Sequence, residues 1–392
     1  MGLRMMEPKL YEHIKEAASL LAEELQKTRE REKKLEAALA EVFPIDLYKQ
    51  IRPDVEAAFK GEQSKMLEHF IENGINEIDI KTEIVNDENK IARKMAVSCL
   101  KNINLSELTT RRQVKDQRKV SLLKTKGDLS NLQANQEHNF AIKHTCIHFK
   151  SNTVCTWIPK NGCSNLRYSF SRENGAISNI KEIDWIHRNN DCFNVSTKEA
   201  LQAEYTFVVL RNPFKRLLSF FLDKLCHPER NQFEGSYQHA YNTFNFDGEL
   251  SYSDFINYIW KNPKSIYDDE HTSPQCDFLL YSNYDDYFAL EKIYEANQVI
   301  CKKTGINVED VRSKNSIFTS KGCEHCSDIL PSTKASEIKA LLDQNKVPIV
   351  ENMYSDDMIG KVATLYLQDI LLYSSEINNG LSELDYWIQK AI

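Results

Sequence analysis

Apolar residues follow two different patterns along the chain, and the change comes near residue 137. Downstream they gather in short unbroken runs, "NTVCTWI" at 152–158 and "YTFVVL" at 205–210. Runs of that length, rich in β-branched and aromatic residues and apolar on both faces, predict buried strands of a parallel sheet. "NFAIKHTCIHF" at 139–149 has the same texture and reads as a further strand. Helical periodicity fills the intervals: "NLRYSFSRENG" ending at Gly175, "TKEALQAE", and "PFKRLLSFFLDKL" with Pro213 in its first turn. Further helices are expected at 253–261, 286–302 and 334–343, and "MYSDDMIGKVATLYLQDILLY" is helical in period as well. Strand, helix, strand, helix predicts an α/β domain over residues 137–392, with a central parallel sheet flanked by helices.

Upstream the pattern is helical and polar. Ile14, Leu21, Leu35 and Val42 recur at seven-residue intervals, with Thr28 breaking the series. Tyr11, Ala18, Leu25 and Leu39 fill the complementary position, interrupted by Glu32, and Pro44 stops the helix. This seam predicts a coiled-coil-like helix in residues 1–44, able to form a homodimer through 9–43 or to pack as a hairpin on its own chain. Residues 45–136 read as two or three more helices and a linker. Within them "TRRQVKDQRKVSLLKTKG" (110–127) carries seven Lys or Arg and no aromatic, which suits a solvated linker better than a phosphate-binding stripe.

Composition narrows the function classes. With 392 residues, 41% of them hydrophobic, the chain has length for two or three domains and a sizeable core. A net charge of −7 argues against a nucleic-acid partner. No apolar run reaches the length of an integral membrane span, and charges interrupt the N-terminal stretch where a secretory signal would need an apolar core. The ten cysteines are scattered, several inside strand-like runs, so they are expected as reduced thiols of a cytoplasmic protein. Cys323 and Cys326 have the spacing of half a zinc site or a redox pair, but no second ligand pair accompanies them.

Candidate chemistry sits at two points where an apolar run turns into a helix. Such junctions offer free backbone N–H groups and partial positive charge at the carboxyl ends of parallel strands, where ligands of α/β sheets collect. The first is Pro159-Lys160-Asn161-Gly162-Cys163-Ser164-Asn165. Gly162 permits a tight turn, Ser164 and Asn165 are able to cap the next helix, and Lys160 brings a point charge. The second is "VVLRNPFKRLLSFF" (208–221). Arg211 stands at the strand end with the fork geometry that suits phosphate, Ser219 follows two helical turns on, and Arg216 adds a second guanidinium. A plain structural turn is the alternative for each junction alone.

With these residues in view, "IPKNGCSNLR" resembles the 5′-phosphosulfate loop of sulfotransferases that use 3′-phosphoadenosine 5′-phosphosulfate (PAPS). "VLRNPFKRLLSFFLDKL" resembles their 3′-phosphate motif. The similarity covers roughly residues 140–375 and points to the carbohydrate sulfotransferase branch, with a P-loop-like α/β fold. It implies PAPS as co-substrate, no metal, and a carbohydrate or small-molecule acceptor. Carried over by position, Lys160 meets the sulfonate and bridging oxygen, and Asn161, Gly162, Cys163, Ser164 and Asn165 cradle the phosphosulfate. Arg211 and Ser219 hold the 3′-phosphate. Cys163 stands where the family has a small residue. "DDEHTSPQCDFLLY" (268–281) resembles the family's H-x-x-P-Q segment, with Thr272 where an aromatic is common. "VENMYSDDMIGKVATLY" resembles its closing helix, with Tyr354 and Asp357 in place.

The reaction so implied is transfer of a sulfuryl group to an acceptor hydroxyl or amine. It needs a cation at the bridging oxygen and a base for the acceptor proton. Lys160 suits the first role and His271 the second, with Glu270 and His187 in reserve. Two alternatives remain: a P-loop kinase, which would need G-x-x-x-x-G-K-[ST], absent here, and a degenerate domain on a coiled-coil scaffold.

Overall fold

A four-stranded sheet organises the larger of the chain's two units, 111–392, in the computed structural model. The described residues are 53–60, 62, 65, 66, 132, 134–189, 191–227, 235–244, 249–311 and 323–391. The unit 1–110 contributes to them helix α1, Pro53–Phe59. The heptad seam at 9–43 and the basic stretch at 110–127 lie outside the described residues.

Helix α2 (Gln136–Lys143) leads into strand β1 (Thr145–His148), which turns back antiparallel along β2 (Thr153–Thr156). The 139–149 stretch is therefore helix before it is strand. Asn135 caps α2, its Oδ1 accepting the His138 N–H at 2.9 Å, and the helix ends before the β-prone Thr145. After β2 the chain passes through α3 (Cys163–Glu173), α4 (Trp185–Arg188) and α5 (Thr197–Gln202) to β3 (Tyr205–Leu210). The run "YTFVVL" is buried at every position, as an apolar run on both faces requires. Strand β3 is parallel to β2 on one side and to β4 (Asp286–Ala289) on the other, so three adjacent strands share one carboxyl edge.

Helix α6 (Pro213–Phe220) opens with Asn212, whose Oδ1 accepts from the Phe214 and Lys215 amides, and widens into a π turn at Phe221–Leu225. It leads to α7 (Gly235–Phe244) and α8 (Tyr252–Lys261). Beyond β4 comes α9 (Ile293–Thr304), so the helix expected over 286–302 begins seven residues later, after the strand and a 3₁₀ turn. A small pair, β5 (Glu324–Cys326) and β6 (Lys346–Pro348), flanks α10 (Ala335–Leu342). The last helical stretch is broken at Tyr366 into α11 (Asp356–Leu365) and α12 (Leu367–Glu376), followed by α13 (Gly380–Ala391).

One face of the sheet packs Tyr205, Phe207 and Val209 against Leu166 and Phe170 of α3 and Ala296 and Ile300 of α9. Alternation along β3 sends Val208 and Leu210 to the other face. Elsewhere in the unit Phe214 of α6 stacks on Trp387 of α13, ring centroids 4.6 Å apart at 9°.

Candidate active site

Strands β2 and β3 are neighbours and parallel, so the turns that follow them emerge side by side. After β2 the backbone reverses sharply. Lys160 has φ 69° and Gly162 φ 75°, both in the left-handed region. A Cβ on Gly162 would stand 3.0 Å from Leu290 Cδ1 at the tip of β4, so only glycine meets both the dihedral and the close approach. Gly162 is itself the N-cap of α3 and no side chain caps that helix. Ser164 and Asn165 thus fall inside the first turn and are not caps. Asn165 is buried and turned away, its Oδ1 accepting from the Val311 amide at 3.2 Å.

The two loops are bonded to each other. Arg211 Nη1 donates to the Lys160 carbonyl at 2.8 Å. Asn161 Nδ2 donates to the Val209 carbonyl of β3 at 2.9 Å and to Gln275 Oε1 at 2.6 Å. The same Gln275 oxygen accepts the Arg211 amide at 2.9 Å, and Gln275 Nε2 returns a bond to the Arg211 carbonyl at 2.9 Å. Gln275 is thereby the joint of the site. Its own amide and that of Cys276 donate to the buried carboxylate of Asp369, at 2.8 and 3.0 Å. Burial pushes the Asp369 carboxyl above its ordinary value; the nearby Arg216 charge and those amide bonds work against the rise.

Arg216 is not a second free guanidinium. It is buried and its donors are spent on backbone: Nε on the Pro159 carbonyl at 3.0 Å, Nη1 on Ser273 at 2.7 Å, and a longer contact from Nη2 to Glu270 at 3.5 Å. It clamps the turn before Lys160 to the segment that carries His271. Along α6 and its two flanks every fourth residue, Arg211, Lys215, Ser219 and Asp223, is half-buried while their neighbours are buried. Ser219 has no hydrogen-bond partner among the described residues. Asp223, in the π turn, meets Lys160 Nζ at 2.6 Å.

Residues 143–373 match the Sulfotransferase family. The chain belongs to that family. It is similar to carbohydrate sulfotransferase 10 of Xenopus laevis, 26% identical over 197 residues, which cover 42% of this chain and 55% of that protein. Carbohydrate sulfotransferase 10 of Rattus norvegicus is 27% identical over 121 residues, 28% of this chain and 33% of the relative. The chain thus matches about half or less of those relatives' length. No solved structure matches it.

Within this sulfotransferase domain the third segment lies against the same site. His271 Nδ1 is 2.7 Å from Asp269 Oδ1, which also accepts the His271 amide at 2.8 Å. Burial pushes the Asp269 carboxyl up, but the His271 contacts more than offset it, and the group sits below its ordinary value. The second oxygen, Oδ2, is buried with no partner among the described residues. Of the reserve bases, Glu270 is paired with His144 at 3.3 Å, and that bond first of all holds its carboxyl low, which unfits it as a base. His187 is exposed on α4, which packs against Tyr168 of α3. Thr272 is fully buried, its hydroxyl donating to the Ile266 and Asp269 carbonyls, so it shapes the loop and does not face an acceptor. Tyr354 supports the site from behind, donating to the Phe214 carbonyl at 2.7 Å. Asp357 forms an ion pair with Lys361 on the surface of α11.

Sequence reasoning missed Asp369, Asp223 and the joint made by Gln275. The Gln275 position lay in a quoted motif, and only its link to both loops was invisible. Cys163 is half-buried and packs against the core, and no two of the described cysteines, Cys323 and Cys326 included, are joined in a disulfide. Among the described residues no group of His, Cys, Asp or Glu is placed to hold a metal ion, and no helix is long and apolar enough to cross a membrane.

Proposed function

We propose that this sulfotransferase moves a sulfuryl group from PAPS to a hydroxyl or amine of an acceptor, a carbohydrate or glycoconjugate. The observation that supports the reading is the bond from Arg211 to the Lys160 carbonyl: the two cationic strand-tip loops adjoin, as a donor with two anionic ends requires. The residues fit a donor with an anionic group at each end. Asn161 Oδ1 and Asn212 Nδ2 are buried polar atoms at the two loops without partners among the described residues, and Gly162 leaves a cradle that a Cβ would fill. PAPS, when bound, supplies the sulfuryl group and a phosphate leaving group. The match to carbohydrate sulfotransferase 10 supports the acceptor class.

Gly162 and the uncapped first turn of α3 bind the 5′ end through backbone N–H groups, with Cys163 contributing its amide alone. Ser164 remains at that turn, while the side chain of Asn165 serves the fold. Arg211, just before α6, and Ser219 on it bind the 3′-phosphate. Lys160 brings its charge to the bridging oxygen. Asp269 holds His271 by Nδ1, which leaves Nε2 to take the acceptor proton.

Two measurements test this. Heat-shift titration with 3′-phosphoadenosine 5′-phosphate should stabilise the protein, whereas a P-loop kinase would respond to ATP with Mg²⁺ instead. A screen of saccharide acceptors with labelled PAPS should find sulfate transfer. Stabilisation without transfer to any acceptor would favour a degenerate binding domain on a scaffold.

A further inference from the structure

The Lys160 ammonium is already engaged. Its Nζ lies 2.6 Å from Asp223 Oδ2, with the side chains only 13% and 21% exposed. The other carboxylate oxygen, Oδ1, accepts from Tyr237 on α7 at 3.0 Å. Lys224 stands beside them with Nζ 3.8 Å over the Tyr237 ring. Burial alone would raise the Asp223 carboxyl, but the charges of Lys160 and Lys224 and its hydrogen bonds outweigh that and hold it well below its ordinary value. The group is a carboxylate at neutral pH.

A carboxylate there opposes an anionic donor. It repels the incoming phosphosulfate and competes for the one cation that must serve the bridging oxygen. Yet a mostly buried ammonium with no partner is itself costly, so some anion has to accompany Lys160 when no donor is present. The geometry separates what is fixed from what can move. The Lys160 backbone is tied by Arg211 at 2.8 Å, leaving the side chain to swing on its rotatable bonds. Asp223 is tethered by Tyr237, so it stays behind when the ammonium leaves.

We infer that Asp223 is a resident counter-ion that holds the Lys160 ammonium until the donor's phosphosulfate displaces it, which makes Asp223 a positioning residue for the transfer. This rests on the donor reading given above. The exchange forms and breaks no covalent bond. The ammonium trades one oxyanion for another, and Tyr237 sets how strongly the first one competes.

Calorimetric titration of the full chain with 3′-phosphoadenosine 5′-phosphate tests it. Asp223→Asn should bind roughly tenfold tighter than wild type, because one opposing charge is gone, while kcat falls because the lysine has lost its guide. In a Lys160→Ala background the same substitution should tighten binding by about threefold at most, since only the repulsion is relieved and there is no ammonium left to compete for. Tyr237→Phe should act in the opposite sense: a carboxylate relieved of its hydrogen bond grips Lys160 harder, weakening nucleotide binding about threefold. A side chain with a merely structural role would not give two signs. Unchanged or weaker binding by Asp223→Asn, with a melting temperature near wild type, overturns the inference. Should that variant not fold, unchanged or tighter binding by Tyr237→Phe overturns it equally. If wild type binds no nucleotide, the donor reading falls and takes this inference with it. If wild type binds and Arg211→Ala does not, the donor reading stands and the Asp223 variants alone decide.

Discussion

Arg211 reaches across from the tip of β3 and donates to the backbone carbonyl of Lys160 at the tip of β2. The two cations are therefore parts of one unit, and the arginine has a structural bond besides its charge. Arg211→Lys keeps the charge but loses the planar fork that, in the proposed donor complex, spans carbonyl and phosphate together. Donor KM should rise in both Arg211→Lys and Arg211→Ala, by roughly tenfold or more. Lys160→Ala should instead lower kcat by about 10²–10³ at saturating donor, the cost of removing one charge-stabilising group. Initial rates with labelled PAPS separate the two patterns.

Gln275 accepts from Asn161 and from the Arg211 amide with one oxygen and donates to the Arg211 carbonyl with its nitrogen. It is fully buried. Gln275→Ala strips these partners without admitting water, and about 2–4 kcal/mol of stability should be lost. Urea unfolding measures it. A variant that keeps wild-type stability and wild-type nucleotide affinity would show that the two loops are held together by something else.

The strand tips were legible in the sequence because unbroken apolar runs are what a doubly covered parallel strand demands, and "YTFVVL" became β3 residue for residue. A lysine after one run and an arginine after the next were then enough to place both cations on one edge. What holds them there was not legible. Asp369 lies 94 residues beyond Gln275, in the first turn of α12, and no local pattern marks a buried carboxylate. Strand β4 was hidden because its four residues run directly into the periodicity of α9. The error at 139–149 had a readable remedy in Asn135, an N-cap residue placed before the run.

Gly162 combines a φ of 75° with Leu290 Cδ1 at 3.0 Å from where a Cβ would stand. Gly162→Ala should cost about 1–3 kcal/mol through backbone strain in a left-handed position. It should also weaken nucleotide binding, since the first turn of α3 shifts with it. Thermal melts with and without 3′-phosphoadenosine 5′-phosphate check both effects; a variant with unaltered affinity would remove Gly162 from the cradle.

Asp223 links the site to acid stability. Its carboxyl lies below the ordinary 3.8 because Lys160, Lys224 and Tyr237 outweigh the effect of burial. Unfolded chains thus bind the proton more readily, and stability rises with pH wherever that difference operates. The contribution is fully present above about pH 4 and is lost as pH falls from there toward the lower folded value. At pH 7 wild type should exceed Asp223→Asn by about 1–2 kcal/mol, a mostly buried ion pair and one hydrogen bond. The gap should close as melts are taken from pH 5 toward pH 2.5. A gap that stays constant across that range would mean that Lys160 does not hold the carboxylate charged.

His271 and Asp269 give the prediction that bears most directly on the chemistry. The Asp269 oxygen lies 2.7 Å from His271 Nδ1 and 2.8 Å from its backbone amide, so one carboxylate fixes both the ring and the turn beneath it. With a proton on Nδ1, Nε2 is left as the acceptor of a proton. His271→Ala should lower kcat by about 10²–10⁴, the usual worth of a positioned base, with the nucleotide heat shift unchanged. Asp269→Asn keeps the shape but presents an amide in place of the carboxylate, and it should lower kcat without raising donor KM. The decisive readout is the pH–rate profile: the acid limb, where rate climbs as the base loses its proton, should vanish in His271→Ala. A limb that persists unaltered in His271→Ala would assign the acceptor's proton to another group.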